Sequence, residues 1–233
     1  FISVCPALHP VYAGDFASIA FLISLFFLFK GSQHPRPAST MFYSFLFIGL
    51  GSLFFPQLTL FIPLYWIGAY GFQALTPKSF FSSLVGWTLP YWFLLGHAYF
   101  YDEMDLFYQP FIELATFHPI NLWDFPLWEI ATLGYLFVLY LVSSIHCLVA
   151  GYEDKIRTRS YLHFLIFLSF CIFVYIGLQP VLSVHLMSFL LIGVSILAGH
   201  LFVLTNSRSS NIFFICAFIG LFILLGFNIW TLL

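Results

Sequence analysis

The side chains best suited to chemistry lie in and beside one acidic stretch, residues 102–126, which holds five acids and no Lys or Arg. They are carboxylates and imidazoles: His97, Asp102, Glu103, Asp105, Glu113 and His118. Such groups can bind a divalent cation or act as a general base. Their spacing matches no defined metal motif, so His97, Asp105, Glu113 and His118 are candidates for an unspecified metal. The alternative is a solvated acidic cap over helix ends, with no catalytic role.

Apolar residues recur through the same stretch at spacings of three or four. They are Leu106, Phe107, Pro110, Phe111, Leu114 and Phe117. This pattern predicts a short amphipathic helix that lies in the membrane interface and is kinked at Pro110.

The composition of the chain suits lipid rather than water. Of its 233 residues, 62% are hydrophobic and 7% are charged, whereas a soluble domain carries about 25% charged residues. A surface so poor in charge cannot face water, so the lipid bilayer is the expected partner. Seven Lys and Arg stand against nine Asp and Glu without a basic patch, which argues against nucleic acid as a partner.

Apolar runs long enough for membrane helices, which need about 17–25 residues, recur along the chain. Only helices or closed barrels satisfy the backbone in lipid, and these runs lack the alternation of barrel strands. We therefore predict an all-α polytopic transmembrane helix bundle, one domain over residues 1–233, with about eight spans. The spans lie near residues 15–30, 40–55, 57–76, 79–101, 127–150, 161–179, 181–204 and 211–232. Pro63 and Pro90 fall inside spans and are expected to kink them.

The charges fix an orientation for these spans. If the chain alternates sides, all basic residues fall on one side: Lys30, Arg36, Lys78, Lys155, Arg157, Arg159 and Arg208. Seven of the nine acids fall on the other side. By the positive-inside rule, the basic side is cytoplasmic. We predict an inner (plasma) membrane protein whose two termini and outer loop 102–126 are non-cytoplasmic.

Other features of the sequence say less. The chain begins at Phe1 without a Met or the basic start of a signal peptide, so we expect a fragment that lacks upstream spans.

The four cysteines form no Cys-x-x-Cys pair and are expected to be small buried hydrophobic residues. Gln73 and Asn228 are expected to hydrogen-bond to neighbouring helices. No Walker loop, His-Glu-x-x-His or Gly-x-Ser-x-Gly motif supports nucleotide hydrolysis or a common protease site.

Two known groups of proteins resemble this chain. Residues 45–72 resemble a helix hairpin of GT-C superfamily glycosyltransferases, with a Gly-Leu-Gly run, a short break and a Leu-rich helix containing a Pro. The segment from Pro10 to Phe29 is similar to the Pro…Asp that precedes a span in that superfamily, and residues 88–92 to its Leu-Pro-Trp. This likeness covers about the first 100 residues. The whole chain also resembles an uncharacterised family of bacterial multi-pass inner-membrane proteins.

The GT-C resemblance implies a site and a reaction. GT-C enzymes move a sugar from a polyprenyl-phosphate donor to an acceptor, at the non-cytoplasmic face. The resemblance makes Asp15 a catalytic candidate beside Asp102 and Glu103, with Asp15 and the outer loop lining a cavity. The chain departs from the pattern in two places: the usual catalytic acid would precede Phe1, and the Lys after the glycine run is Phe54 or Phe55 here.

Three functions remain open from the sequence. The first is a divergent GT-C-like protein that acts on a lipid-linked sugar. The second is a non-catalytic subunit that holds other membrane subunits through its helices. The third is a transporter of an apolar or lipidic substrate, which requires a central cavity lined by polar residues such as Gln73, His146 and Asn228.

Overall fold

The computed structural model describes residues 13–117, 125–150, 155–204 and 208–231, and all regular structure in these ranges is helical. This confirms the predicted all-α class. The described residues form two compact units, which we call the first unit (residues 13–117) and the second unit (residues 125–231). A single domain over the whole chain stays a prediction.

The first unit contains five α-helices and one 3-10 helix. These are α1 (Ala13–Lys30), α2 (Pro37–Phe54), the 3-10 helix Pro56–Phe61, α3 (Ile62–Gly71), α4 (Pro77–Phe100) and α5 (Met104–Ala115).

Helix α2 is the centre of the first unit. Ser24 of α1 and Ser44 of α2 each donate to the other's backbone carbonyl, at 2.8 and 2.9 Å. Helix α2 runs antiparallel to α1, since Thr40 near its start lies against Gly31 and Gly51 near its end lies against Ala17. It runs parallel to α4, because Ser82 donates to the carbonyl of Ala38 near one end and Ser52 bonds the hydroxyl of Tyr91 near the other. Reciprocal side chain-to-backbone bonds of this kind hold helices together where lipid offers no hydrophobic drive.

Glycines allow α2 and α4 to approach closely. A Cβ added at Gly49 would lie 2.5 Å from the carbonyl oxygen of Trp87, and one added at Gly86 would lie 2.5 Å from that of Phe42. Pro90, which lies inside α4, packs its ring against Gly49. The absence of side chains at these two positions therefore sets the distance between the helices.

The predicted span 57–76 is wrong as a single helix. The chain forms a 3-10 helix over Pro56–Phe61, and α3 then ends at Gly71. Pro63 lies in the first turn of α3, where its missing N–H is not needed, so it begins the helix instead of kinking it. Together the two helices are about 27 Å long, which approaches the ~30 Å hydrocarbon core.

The second unit contains four long helices that alternate in direction. These are α6 (Leu127–Ala150), α7 (Ile156–Leu178), α8 (Ser183–Leu204), which follows a 3-10 turn at Pro180–Leu182, and α9 (Arg208–Trp230). Helices α6 and α8 are parallel. Near their starts, the hydroxyl of Ser183 donates to the carboxylate of Glu129, and near their ends the Sγ of Cys147 lies 3.8 Å from Nδ1 of His200. Helix α9 is antiparallel to α6, since Asn228 near the end of α9 bonds Thr132 near the start of α6, and Tyr135, further along α6, donates to the carbonyl of Ala217, earlier in α9.

Five helices in the described ranges are long and apolar enough to cross a membrane. They are Pro37–Phe54, Leu127–Val149, Ile156–Leu178, Pro180–Val203 and Ser210–Trp230. This confirms the membrane character of the chain, while the count of about eight spans stays a prediction. The cysteine prediction is partly wrong, because Cys216 is exposed on α9 and Cys171 is half-buried, whereas Cys147 is buried.

Within each unit, the described basic residues lie at one end, which we call its basic end, and the described acids lie towards the other, its acidic end. In the first unit, Lys30, Arg36 and Lys78 lie where α1 ends and where α2 and α4 begin. The acidic end carries the acids at the start of α1 and on α5. In the second unit, Glu129 lies where α6 begins, and α7 and α9 begin with their basic residues at the other end. Which membrane side each end faces stays a prediction.

Candidate functional site

The acids Asp102 and Glu103 form the junction between α4 and α5. The N–H of Asp102 reaches the carbonyl of Tyr99 at 3.4 Å, and that of Glu103 reaches the carbonyl of Ala98 at 2.9 Å. Asp102 has a φ of +56°, the left-handed conformation that closes a helix and usually requires glycine. The tight reversal at Asp102 leaves both carboxylates exposed beside the start of α5.

Helix α5 is the amphipathic helix predicted from the sequence, and Pro110 lies inside it. Pro110 is buried, and the ring of Phe111 lies 5.4 Å from the ring of Tyr91 on α4. The hydroxyl of Tyr91 in turn bonds Ser52 at the end of α2, at 2.8 Å. The burial of Pro110 and the ring contact of Phe111 therefore show that α5 packs against the acidic end of the first unit.

Part of the apolar surface of α5 stays uncovered. Tyr108, Ile112 and, just beyond the helix, Phe117 are each more than half exposed. An apolar face of this kind next to charged groups is typical of helices at a membrane surface, where the apolar side chains enter the headgroup region.

Asp15 lies at the same end of the first unit as Asp102 and Glu103. It is in the first turn of α1 and half-buried. The neighbouring ring of Phe16 stacks on Phe54 at the end of α2, with centroids 5.6 Å apart. The 3-10 helix that follows α2 contacts α5. Asp15 and α5 are thus both next to the segment that joins α2 to α3.

The four metal candidates do not converge within the part of the chain that the structure describes. There, no three His, Cys, Asp or Glu side chains come together as a metal site. His97 lies against the ring of Tyr101, with centroids 4.6 Å apart, and Glu113 accepts from Gln109 at 3.1 Å. His118 and the last part of the outer loop lie outside the described residues. A metal at His97, Asp105, Glu113 and His118 stays a prediction.

The arrangement at the acidic end suits a polar group that is attached to an apolar chain. Exposed carboxylates can hold a divalent cation or accept a proton from a hydroxyl. The uncovered apolar residues of α5 can pack against lipid chains at the same level. A cation held by the carboxylates would offset their repulsion of an anionic phosphate.

The second unit contains a buried carboxylate that the sequence analysis did not single out. Glu129 is only 6% exposed and accepts a hydrogen bond from Ser183 of α8. Next to it along α6, Thr132 accepts from Asn228 of α9 at 3.4 Å, as expected for Asn228. Gln73, by contrast, is exposed beyond the end of α3, so its predicted role between helices is wrong. The sequence did contain one indication that Glu129 is special, because it places this acid in the first turn of a long apolar helix.

The second unit also contains an apolar cavity of about 270 Å³ between α6, α8 and α9. Its walls include Leu136, Val194, Phe214 and Phe218, and its surface is almost wholly apolar. Neither His146 nor Asn228 lines it. It is therefore not the polar cavity that transport would require.

Comparison with family models, with curated proteins and with solved structures finds no match for this chain.

Proposed function

We propose that this membrane protein acts at its acidic end on a lipid-linked substrate, and that the reaction is the sugar transfer implied by the GT-C resemblance. In that reaction a carboxylate accepts the proton of an acceptor hydroxyl, the new glycosidic bond forms, and the polyprenyl phosphate leaves. The catalytic candidates are Asp15, Asp102 and Glu103.

One observation supports this proposal more than any other. The exposed carboxylates of Asp102 and Glu103 lie directly beside α5, whose apolar residues Tyr108 and Ile112 are exposed. A polyprenyl-phosphate sugar has a polar head and a long apolar chain, so it matches both parts of this surface. A water-soluble substrate would use only the carboxylates.

The charge of the substrate adds a requirement. A phosphate and a carboxylate repel each other, and the repulsion is strong where water is partly excluded. A divalent cation between the phosphate and the acids turns this repulsion into attraction, and oxygen ligands suit Mg²⁺. Substrate binding should therefore depend on a divalent cation.

The proposed reaction takes place at one side of the membrane. The acidic end faces the non-cytoplasmic side of an inner membrane, where polyprenyl-linked sugars would reach it from the outer leaflet. The lipid bilayer and the lipid-linked sugar are then the partners of the protein.

The test is binding of a polyprenyl-phosphate hexose to the protein in lipid nanodiscs, measured by the shift of the unfolding temperature. With Mg²⁺, the substrate should raise the unfolding temperature, and EDTA should abolish the shift. The double variant Asp102→Asn, Glu103→Gln should bind at least tenfold more weakly. The variant Asp154→Asn, which removes one acid between α6 and α7, is the control and should bind as the parent does.

Two results would overturn the proposal. The first is an equal shift with a free polyprenol that lacks phosphate and sugar, because α5 would then bind only the chain. The second is the absence of any shift in the parent protein. That second result would favour the non-catalytic subunit, which needs no substrate.

A further inference from the structure

The carboxylate of Glu129 lies inside the second unit, among three helices. Its side chain is 6% exposed, and that of its donor, Ser183, is 2% exposed. Glu129 lies in the first turn of α6, and Ser183 is the first residue of α8. The N-terminal ends of both helices thus lie at this carboxylate.

A negative charge on Glu129 would have few compensating groups among the residues that the structure describes. Among the residues that the structure describes, Ser183 is the one side-chain donor to Glu129, and a hydroxyl carries no charge. The basic residues of the unit begin α7 and α9, at the far end of α6, which is about 36 Å long. Burying a charge without a counter-charge is costly, and intramembrane acids are usually paired or functional.

More oxygen atoms lie one turn further along α6. Thr132 is three residues after Glu129, so the two side chains share one face of the helix. Thr132 is fully buried, and Asn228 of α9, which donates its amide N–H to Thr132, is 1% exposed. Helices α6, α8 and α9 therefore contribute a carboxylate, two hydroxyls and a carboxamide as two hydrogen-bonded pairs about one helical turn apart.

We propose that Glu129, Thr132, Ser183 and Asn228 form a binding site for a small monovalent cation such as Na⁺ or K⁺. Oxygen ligands select hard cations over transition metals. A single carboxylate balances one positive charge, whereas a divalent ion would leave a net charge buried in the membrane. The site joins three helices, so an ion bound there stabilises their packing.

Protonation of Glu129 is the event that would compete with cation binding. The other ionisable groups in the same half of the second unit are Tyr135 on α6, Tyr175 on α7 and His185 on α8, with none on α9 among its described residues. Protonation of Glu129 would remove its charge without any metal ion. A comparison of salts at constant pH separates the two events.

The experiment measures the unfolding temperature in nanodiscs while NaCl or KCl replaces choline chloride at constant ionic strength and pH. The parent protein should show a saturable rise with one of the two cations. Glu129→Gln should require at least tenfold more cation for the same rise. Ser195→Ala, an exposed hydroxyl on α8, is the control and should respond as the parent does.

Cation binding can also be measured directly on the parent protein, so the test does not depend on whether the variants fold. Radioactive ²²Na⁺ or ⁸⁶Rb⁺, the latter standing in for K⁺, should bind the parent protein at about one ion per chain and be displaced by the unlabelled cation. Equal unfolding temperatures in all three salts, with no bound isotope, would overturn the proposal, even if stability changed with pH. An unchanged salt response in Glu129→Gln would overturn it as well. The site does not depend on the sugar-transfer proposal, because the two use different residues.

Discussion

Three residues with side chains adopt backbone conformations that usually belong to glycine. Gln33, Gln73 and Asp102 have φ values of +54°, +56° and +56°. Gln73 and Asp102 each close a helix, and the residue after each donates to a carbonyl five positions earlier, as the N–H of Ala74 does to Ala69 at 2.9 Å. This geometry costs a non-glycine residue about 1 kcal/mol. Asp102 therefore combines backbone strain with a candidate catalytic role, a combination common at functional sites.

Replacing Asp102 by glycine should separate these two properties. Asp102→Gly relieves the strain and removes the carboxylate, so we expect the free energy of unfolding to rise by up to about 1 kcal/mol while substrate binding weakens. Gln73→Gly is the matched control: it relieves the same strain at the basic end and should leave binding unchanged. Unfolding in detergent and the nanodisc binding assay measure the two quantities. Loss of stability in Asp102→Gly would contradict the assignment of strain.

At the level of helices, the contact between α2 and α4 holds the first unit together. Gly49 and Gly86 face the partner helix from opposite sides of the contact, and in both cases the nearest atom is a backbone carbonyl oxygen. A backbone atom cannot rotate away as a side chain can. Any added methyl group must therefore separate the helices.

Alanine at these positions should be strongly destabilising. Gly49→Ala and Gly86→Ala should each lower the free energy of unfolding by about 1–3 kcal/mol, the usual cost of overpacking. Gly96→Ala, on the same α4, meets no atom within 4 Å and should be neutral or stabilise the helix by up to about 1 kcal/mol. Unfolding of the three variants in one detergent makes the comparison. Equal changes in the free energy of unfolding for all three variants would mean that helix propensity, and not packing between α2 and α4, determines the effect of alanine.

The sequence predicted these elements unevenly, for physical reasons. The existence of the long helices could be predicted from the length of the apolar runs. Helix α5 could be predicted because apolar residues recur three or four positions apart in its sequence. The start of α6 was predicted correctly, but that of α7 was missed because the helix continues into water: α7 begins at Ile156 and includes Arg157 and Arg159, whereas the apolar run begins near 161. The burial of Glu129 depends on Ser183, 54 residues away, and no local pattern reports such a contact.

Over the whole molecule, the separation of charge is the property most relevant to function. Each unit carries its described basic residues at one end, and the acids Asp15, Asp102 and Glu129 lie at opposite ends from them. The positive-inside rule turns this separation into an orientation. The proposed sugar chemistry requires that orientation, because its site is at the acidic end.

Cysteine labelling in intact cells should reveal the orientation. In a background without the native cysteines, Ser39→Cys and Ile156→Cys lie at the basic ends, while Thr116→Cys and Thr231→Cys lie at the acidic ends; all four positions are exposed. A reagent that cannot cross the membrane should label only the latter two until the cells are opened. Labelling of Ser39→Cys in intact cells would reverse the orientation and place the acids in the cytoplasm.

The parallel contact between α2 and α4 also has a consequence for biogenesis. Because α3 lies between them in the chain, α2 leaves the ribosome well before its closest partner does. At about 5–20 residues per second, the segment from Phe54 to Phe100 takes a few seconds to synthesise. During that interval Gly49 lacks its contact with α4, and α2 can pack only against α1, the 3-10 helix and α3. Ribosomes stalled between α3 and α4 would expose this half-assembled intermediate, and a membrane chaperone that recognises open glycine faces would find its substrate there.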